Sequence, residues 1–221
     1  MKLVYFITFA FIITNCNCKA QQNIYLVAKD SNESFSPEDT FRVKESENEE
    51  DFVENEYLIK DLEPIRKNFK RLNSIAKWDS VIVKDIWLSI EGGEAKYYYS
   101  KKKLRKIIAR YYGETYQNLS EYYLLNNKLS FVFEKNYKYN RPLYYDSLVM
   151  KENGDNEVWD LGKSEITETR SYFKNGKLIH QISSQDCGAP FAAEYLLEEQ
   201  KTIKEEFKEL LSALIKKEED N

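Results

Sequence analysis

A chain of 221 residues is long enough for one ordinary domain with a leader and a linker. Its 33 basic and 37 acidic side chains, net −4, argue against a basic face for nucleic acid. Aromatic residues at 14% exclude a disordered chain, and charged residues at 32% leave no second apolar run in the body near the roughly 20 residues a spanning helix needs.

Met1-Lys2 precedes the apolar run Leu3-Val4-Tyr5-Phe6-Ile7-Thr8-Phe9-Ala10-Phe11-Ile12-Ile13, a charge-then-apolar layout that predicts an export signal over residues 1–20. Two processing outcomes compete. Ile13-Thr14-Asn15-Cys16 resembles a bacterial lipobox, which makes Cys16 the expected lipidation site. Cys18-Lys19-Ala20 instead offers small residues to a signal peptidase, with cleavage before Gln21. Either outcome puts the body outside the cytoplasm, as an outer-membrane lipoprotein or a periplasmic or secreted protein. The expected membrane contact is the N-terminal lipid alone.

Residues 21–56 read as an acidic tether, because the carboxylates crowded from Glu45 to Asp51 repel one another and extend the chain. Ile24-Tyr25-Leu26-Val27-Ala28 is an apolar exception, suited to adding a strand or docking on the body. No Asp-x-Asp-x-Asp-Gly calcium spacing occurs there.

The folded domain is expected over residues 57–217. Leu62, Ile65, Phe69, Leu72 and Ala76 recur at three or four residues, which predicts a helix from about Asp61 to near Lys77 with Arg66, Lys67, Lys70 and Arg71 on the opposite face. Val81-Ile82-Val83 and Ile86-Trp87-Leu88-Ser89-Ile90 then read as strand, and Gly92-Gly93 as a turn.

Residues 91–183 carry a recurring pattern: aromatics, a short polar turn, then Lys-Leu and a branched run. The copies are Tyr97-Tyr98-Tyr99-Ser100-Lys101-Lys102-Lys103-Leu104, Tyr122-Tyr123-Leu124-Leu125-Asn126-Asn127-Lys128-Leu129 and Tyr172-Phe173-Lys174-Asn175-Gly176-Lys177-Leu178. Each reads as strand, tight turn, strand, since Asn and Gly accept the positive φ of a two-residue hairpin. Adjacent Ile107 and Ile108 send apolar side chains to both faces, so both need cover, and helices on one face with a Tyr-rich layer on the other would supply it. Leu129, Phe131 and Phe133 are expected on one face of a strand over 128–134. The stretch 144–162 is irregular, with a turn at Asn153-Gly154-Asp155-Asn156, and an ordered excursion of this kind is where a site is expected.

From Phe191 a long helix is predicted, with Leu196, Ile203, Phe207, Leu210 and Leu214 on one stripe and Leu197, Leu211 and Ile215 widening it. The expected fold class is therefore α+β: an antiparallel sheet of successive hairpins, about six to eight strands, with an N-terminal helix and a long C-terminal helix packed on it.

Chemistry is sparse. His180 is the only histidine, and Cys187 is the only cysteine beyond the leader region. They form a conceivable base and nucleophile, and Cys187 a conceivable disulfide partner for Cys18, but a lone strand histidine is far more often structural. No nucleophile elbow, phosphate loop or metal-ligand cluster is present, and no catalytic, cofactor or metal residue is assigned. The aromatic rows suit cross-strand pairing more than sugar stacking.

Ser171-Tyr172-Phe173-Lys174-Asn175-Gly176-Lys177-Leu178-Ile179 resembles the Tyr-x-x-Asn-Gly-x-Leu core of MORN-variant repeats, which are small stacked hairpins. More broadly, Gly92-Gly93-Glu94, Tyr112-Gly113-Glu114 and Lys128-Leu129-Ser130-Phe131-Val132-Phe133-Glu134-Lys135 are similar to segments of uncharacterised exported proteins and lipoproteins of Gram-negative bacteria. That resemblance implies a hairpin-meander body and attaches no activity. The expected function is a non-catalytic envelope module that binds a protein, peptide or glycan. The alternative is an envelope hydrolase with a carboxylate or Cys-His site.

Overall fold

The computed structural model describes residues 59–185 and 193–216. The export signal with Cys16 and Cys18, the tether with Ile24 to Ala28, and Cys187 lie outside the described residues.

Among the described residues, seven strands form one antiparallel meander in chain order: β1 (Ser80–Ile86), β2 (Gly93–Ser100), β3 (Lys103–Tyr112), β4 (Tyr116–Leu125), β5 (Lys128–Lys138), β6 (Glu165–Lys174) and β7 (Lys177–Ser183). The recurring pattern of the sequence builds the hairpins β2–β3, β4–β5 and β6–β7. All three turn through two residues of positive φ: Lys101 and Lys102 at 54° and 59°, Asn126 and Asn127 at 53° and 62°, Asn175 and Gly176 at 52° and 76°. The right-handed twist of paired strands selects this turn.

Each hairpin also carries a bulge at the same place. Pairing steps from Tyr98↔Lys106 to Tyr99↔Leu104, from Tyr123↔Phe131 to Leu124↔Leu129, and from Tyr172↔His180 to Phe173↔Leu178. Arg105, Ser130 and Ile179 are the extra residues, and each shifts the side-chain alternation by one. Leu104, Leu129 and Leu178 therefore join one face of the sheet, while Phe131 joins the other. This overturns the expectation that Leu129 shares a face with Phe131 and Phe133. Strict period-two counting fails across the bulge at Ser130, whose Oγ donates to the Tyr123 carbonyl at 2.9 Å.

Lysine is a poor occupant of the left-handed region, where an L side chain costs roughly 1–2 kcal/mol. Lys102→Gly is expected to stabilise the domain by up to about 1 kcal/mol, measured by urea unfolding. An unchanged or lower midpoint would count against strain in this turn.

Two helices cover opposite faces. Helix α1 (Ile59–Asn73) buries Leu62, Ile65, Phe69 and Leu72 against Tyr123, Phe131, Phe133 and Tyr172. Phe69 lies tilted 5.0 Å from Tyr123 and edge-on 5.3 Å from Phe131, ring centre to ring centre, the second in a geometry aromatic pairs prefer. The helix begins at Ile59 rather than about Asp61, so Pro64 lies inside it, beyond the first turn whose N–H groups lack partners, and Lys70 and Arg71 complement the C-terminal end. Helix α3 (Ala193–Ile215) seats Ile203 and Leu210 on Tyr97, Ile107, Ala109, Tyr122 and Val132. The Tyr97 hydroxyl donates to the Leu210 carbonyl at 2.7 Å.

The arrangement of both helices on one face beside a tyrosine layer is thus replaced by one helix on each face. The physical reason lies in the doubled aromatics: adjacent residues on a strand point to opposite sides, so Tyr98 and Tyr123 lie on the α1 side while Tyr99 and Tyr122 lie on the α3 side.

Three further expectations are corrected. Helix α1 stops at Asn73 rather than near Lys77, closed by Ile75 N–H donating to the Leu72 carbonyl at 3.4 Å, a tight last turn. Ala76 is exposed, and Ile75 and Trp78 pack on the core in its place. β1 ends at Ile86, because Ser89 closes a turn there by donating to the carbonyls of Gly92 and Tyr112. Leu197 and Ile215 face solvent, beyond the stripe that reaches the sheet.

Candidate functional site

His180 pairs with Tyr172, their rings 5.7 Å apart on the α1 side of the sheet. It is half-buried, and its Nε2 makes no hydrogen bond among the described residues. Burial, then the Arg66 charge, holds its pKa below the ordinary value and favours neutral imidazole. Cys187 is outside the described residues, so no pair with His180 is drawn. The aromatic rows are core: Tyr97, Tyr122, Tyr123 and Tyr172 are fully buried, which removes these four as stacking platforms for sugar.

The excursion 139–164 is ordered by ion pairs. Asp146 caps the short helix α2 (Ser147–Glu152) by accepting from Leu148 and Val149 N–H. Arg141 grips Asp155 through Nε at 2.9 Å and Nη2 at 3.2 Å and lies 3.6 Å from Glu157, which also meets Lys163 at 2.8 Å. The segment folds back through Trp159, which sits edge-on to Tyr139. A concavity of about 720 Å³ lies beside it, lined by Tyr116, Asn136, Arg141 and Thr167 among others. Its one arginine is committed to Asp155 and Glu157, which braces the excursion against the sheet.

A different cluster is assembled on the α3 face. Glu134 of β5 sits among Glu199 and Glu206 of α3, beside Tyr122, which donates to Glu206 at 3.0 Å, and Tyr111. Burial first, then Glu206 and Glu199, pushes the Glu134 carboxyl up to about 7. Burial also raises Glu206, with Glu209 and Glu199 adding repulsion. Tyr122 is raised well above its ordinary range, chiefly by burial. Sequence reading missed this group among 37 carboxylates. A signal existed: Glu199, Ile203, Glu206 and Leu210 step by four, three and four, so both carboxylates share the buried stripe of the helix. Among the described residues no cluster of three or more His, Cys, Asp or Glu is arranged to hold a metal ion.

This cluster sets a pH response. The folded chain keeps a proton on Glu134 up to about pH 7, whereas an unfolded glutamate loses it near 4.5. Folding therefore takes up a proton between those values, and stability falls as pH rises from about 4.5 towards 7, then levels off. Glu206 acts in the same sense, and His180, lowered on folding, in the opposite one. Glu134→Gln is expected to gain stability over the parent at pH 8 and little at pH 4.5, read from melting at both. An equal gain at both values would exclude the linkage.

Next to this cluster the end of β1 and the turn after it form an apolar ridge. Trp87 is 79% exposed and Ile90 97%, with Leu88 and the strand residues Val81, Ile82 and Val83 also exposed. Two concavities flank the ridge and share Leu88 and Glu209. One, of about 490 Å³, lies between β1 and α3 and includes Lys84, Asp85, Trp87 and Ser212. The other, of about 310 Å³, is lined by Ser89, Tyr111, Tyr116, Asn118 and Glu206.

No family model matches the chain, and no curated protein or solved structure matches it.

Proposed function

We propose that the chain is a non-catalytic interaction module of the cell envelope, engaging a protein or peptide partner along the β1 edge and the Trp87–Leu88–Ile90 ridge. The ridge is the observation that carries this reading: a largely exposed tryptophan and a nearly fully exposed isoleucine beside a strand that, among the described residues, pairs on one side only. Contiguous exposed apolar surface marks association sites, and an open edge offers main-chain groups to an extended segment. The burial of the central tyrosines turns the reading away from a glycan and towards a protein ligand. The charge-then-apolar layout of residues 1–20, read as an export signal that is either lipidated at Cys16 or cleaved before Gln21, supports the envelope location.

The hydrolase reading keeps one observation in its favour, the carboxyl of Glu134 raised to about 7 next to Glu206. It requires that Glu134→Gln abolish a hydrolytic activity of envelope extracts supplemented with the protein.

A photoreactive phenylalanine at position 90 tests the interaction reading in cells. A discrete adduct should form there and be lost when Trp87→Ser is added, with melting unchanged within about 0.5 kcal/mol. Adducts no stronger than those from position 148, an exposed leucine on α2, would reject the ridge as the interface.

A further inference from the structure

We propose that Ile24-Tyr25-Leu26-Val27-Ala28 of the same chain pairs antiparallel with β1 as an eighth strand, Leu26 opposite Ile82. The segment lies outside the described residues; the edge that receives it does not. As regulation of the interface this rests on the interaction reading, because a partner's extended segment then reaches β1 only by displacing this one. The Trp87–Leu88–Ile90 ridge lies past Ile86 and stays open to the partner.

β1 has the side chains of an inner strand at the position of an outer one. Val81, Ile82 and Val83 are 43%, 38% and 49% exposed. Ile82 opposes Tyr97 of the α3 face, and Val81 opposes Tyr98 on the α1 face. A continuous apolar run suits a strand covered on both faces, and an uncovered apolar edge is a template for another strand. The opposite edge differs. Among the described residues no large exposed apolar side chain lies on β7, and the Leu178 N–H there donates to Gln200 of α3 at 2.9 Å. The segment matches β1 in kind, as the one five-residue apolar run between residues 21 and 56. With Leu26 opposite Ile82, Tyr25 and Val27 fall opposite Val83 and Val81, so each exposed residue gains an apolar neighbour on its own face. Ile24 then falls opposite Lys84, at the concavity of about 490 Å³ that α3 walls with Ser212 and Ala213.

Chain length and charge set the direction. Alternate strands of the meander run the same way, so Ser80 and the β2–β3 and β6–β7 turns share one end. Helix α1 starts at that end too, because Asp61 pairs with Lys174 beside the β6–β7 turn. Antiparallel pairing brings Ala28 there. The remaining path to β6 is six strand spacings, about 29 Å, and residues 29–58 span up to roughly 100 Å. The Lys101 N–H donates to Asp79 at 2.6 Å, so the exposed Lys101, Lys102 and Lys103 border the start of β1. Asp30 and Glu33, which follow the segment after Lys29, arrive at these lysines. Parallel pairing would carry them instead to the exposed Asp85 and Glu91, where like charges repel.

The test uses the unlipidated mature chain, Gln21 to Asn221, with a photoreactive phenylalanine in place of Tyr25. Irradiation is expected to give an adduct within one chain that maps to residues 81–85 by mass spectrometry. Leu26→Pro should abolish it, because proline lacks an N–H and is poorly accepted inside a paired strand. Without the photoreactive residue, alternate amides from Val81 to Asp85 should exchange hydrogen roughly tenfold more slowly in the parent than in Leu26→Pro, while β4 and β5 amides stay alike. An adduct confined to covalent dimers and rising with concentration would overturn pairing within the chain and give the edge to a second copy. Adducts away from β1, or β1 exchange unchanged by Leu26→Pro, would overturn strand addition altogether. Neither result touches the ridge. Absence of the position-90 adduct in cells, with the adduct from position 25 intact, would remove the interaction reading alone.

Discussion

Leu210→Ala is expected to destabilise the domain by about 2–5 kcal/mol, the range for deleting a fully buried leucine. Leu210 is 0% exposed and lies at the centre of the contact between α3 and the sheet. Its carbonyl also accepts the Tyr97 hydroxyl, so any shift of the helix to fill the cavity disturbs a buried hydrogen bond. The site is therefore poorly able to collapse, which favours the upper part of the range. At roughly 2–4 °C per kcal/mol for chains of this size, melting should fall by several degrees at least. Leu197→Ala on the same helix, at a residue 63% exposed, should change stability by less than about 0.5 kcal/mol. Phe207 is only partly buried and stacks on Tyr122 at 5.8 Å, so Phe207→Ala should fall between the two. Equal effects at 197 and 210 would mean that α3 does not pack as described.

Gly93→Ala should be more damaging than its single methyl suggests. A Cβ at Gly93 would lie 2.0 Å from the Arg110 carbonyl oxygen and 3.2 Å from Ile86 Cγ1. The first is main chain of the adjacent strand and cannot rotate aside, so β2 and β3 must separate. Gly93 pairs with both Ile86 and Tyr111, so the separation would spread to the end of β1 and to the buried Tyr111. A loss of roughly 4 kcal/mol or more is expected, seen as a large fall in the urea midpoint or as failure to fold. Gly154→Ala provides the contrast: nothing lies within 4 Å of its Cβ position, and only its φ of +65° opposes the change. That substitution should cost about 1–2 kcal/mol. If Gly93→Ala proved no worse than Gly154→Ala, the close strand approach would be wrong.

The sheet of successive hairpins was legible because its instructions are local. Asn126-Asn127 and Asn175-Gly176 favour positive φ within a two-residue turn, and the flanking aromatic and branched residues favour extended chain. The helices were legible from the spacing of Leu62, Ile65, Phe69 and Leu72 and of Ile203, Phe207 and Leu210, since period 3.6 survives any choice of partner. The candidate surface was not legible. Trp87, Leu88 and Ile90 read as strand, because an apolar run carries no mark of the point where pairing ends. That point is set by Ser89 bonding to Gly92 and to Tyr112, which is distant in the chain.

By itself the sequence determined the sheet of hairpins, the two long helices, their order and most of the stripe each helix buries, all of which follow from neighbours within a few residues. Tertiary structure alone decided which face each helix takes, the flip of Leu129 at the Ser130 bulge, and the meeting of Glu134 with Glu206 across the sheet–helix interface. These depend on register and on distances between elements far apart in the chain. The side-chain alternation of a strand is blind to them, since a one-residue slip exchanges its faces without changing its composition.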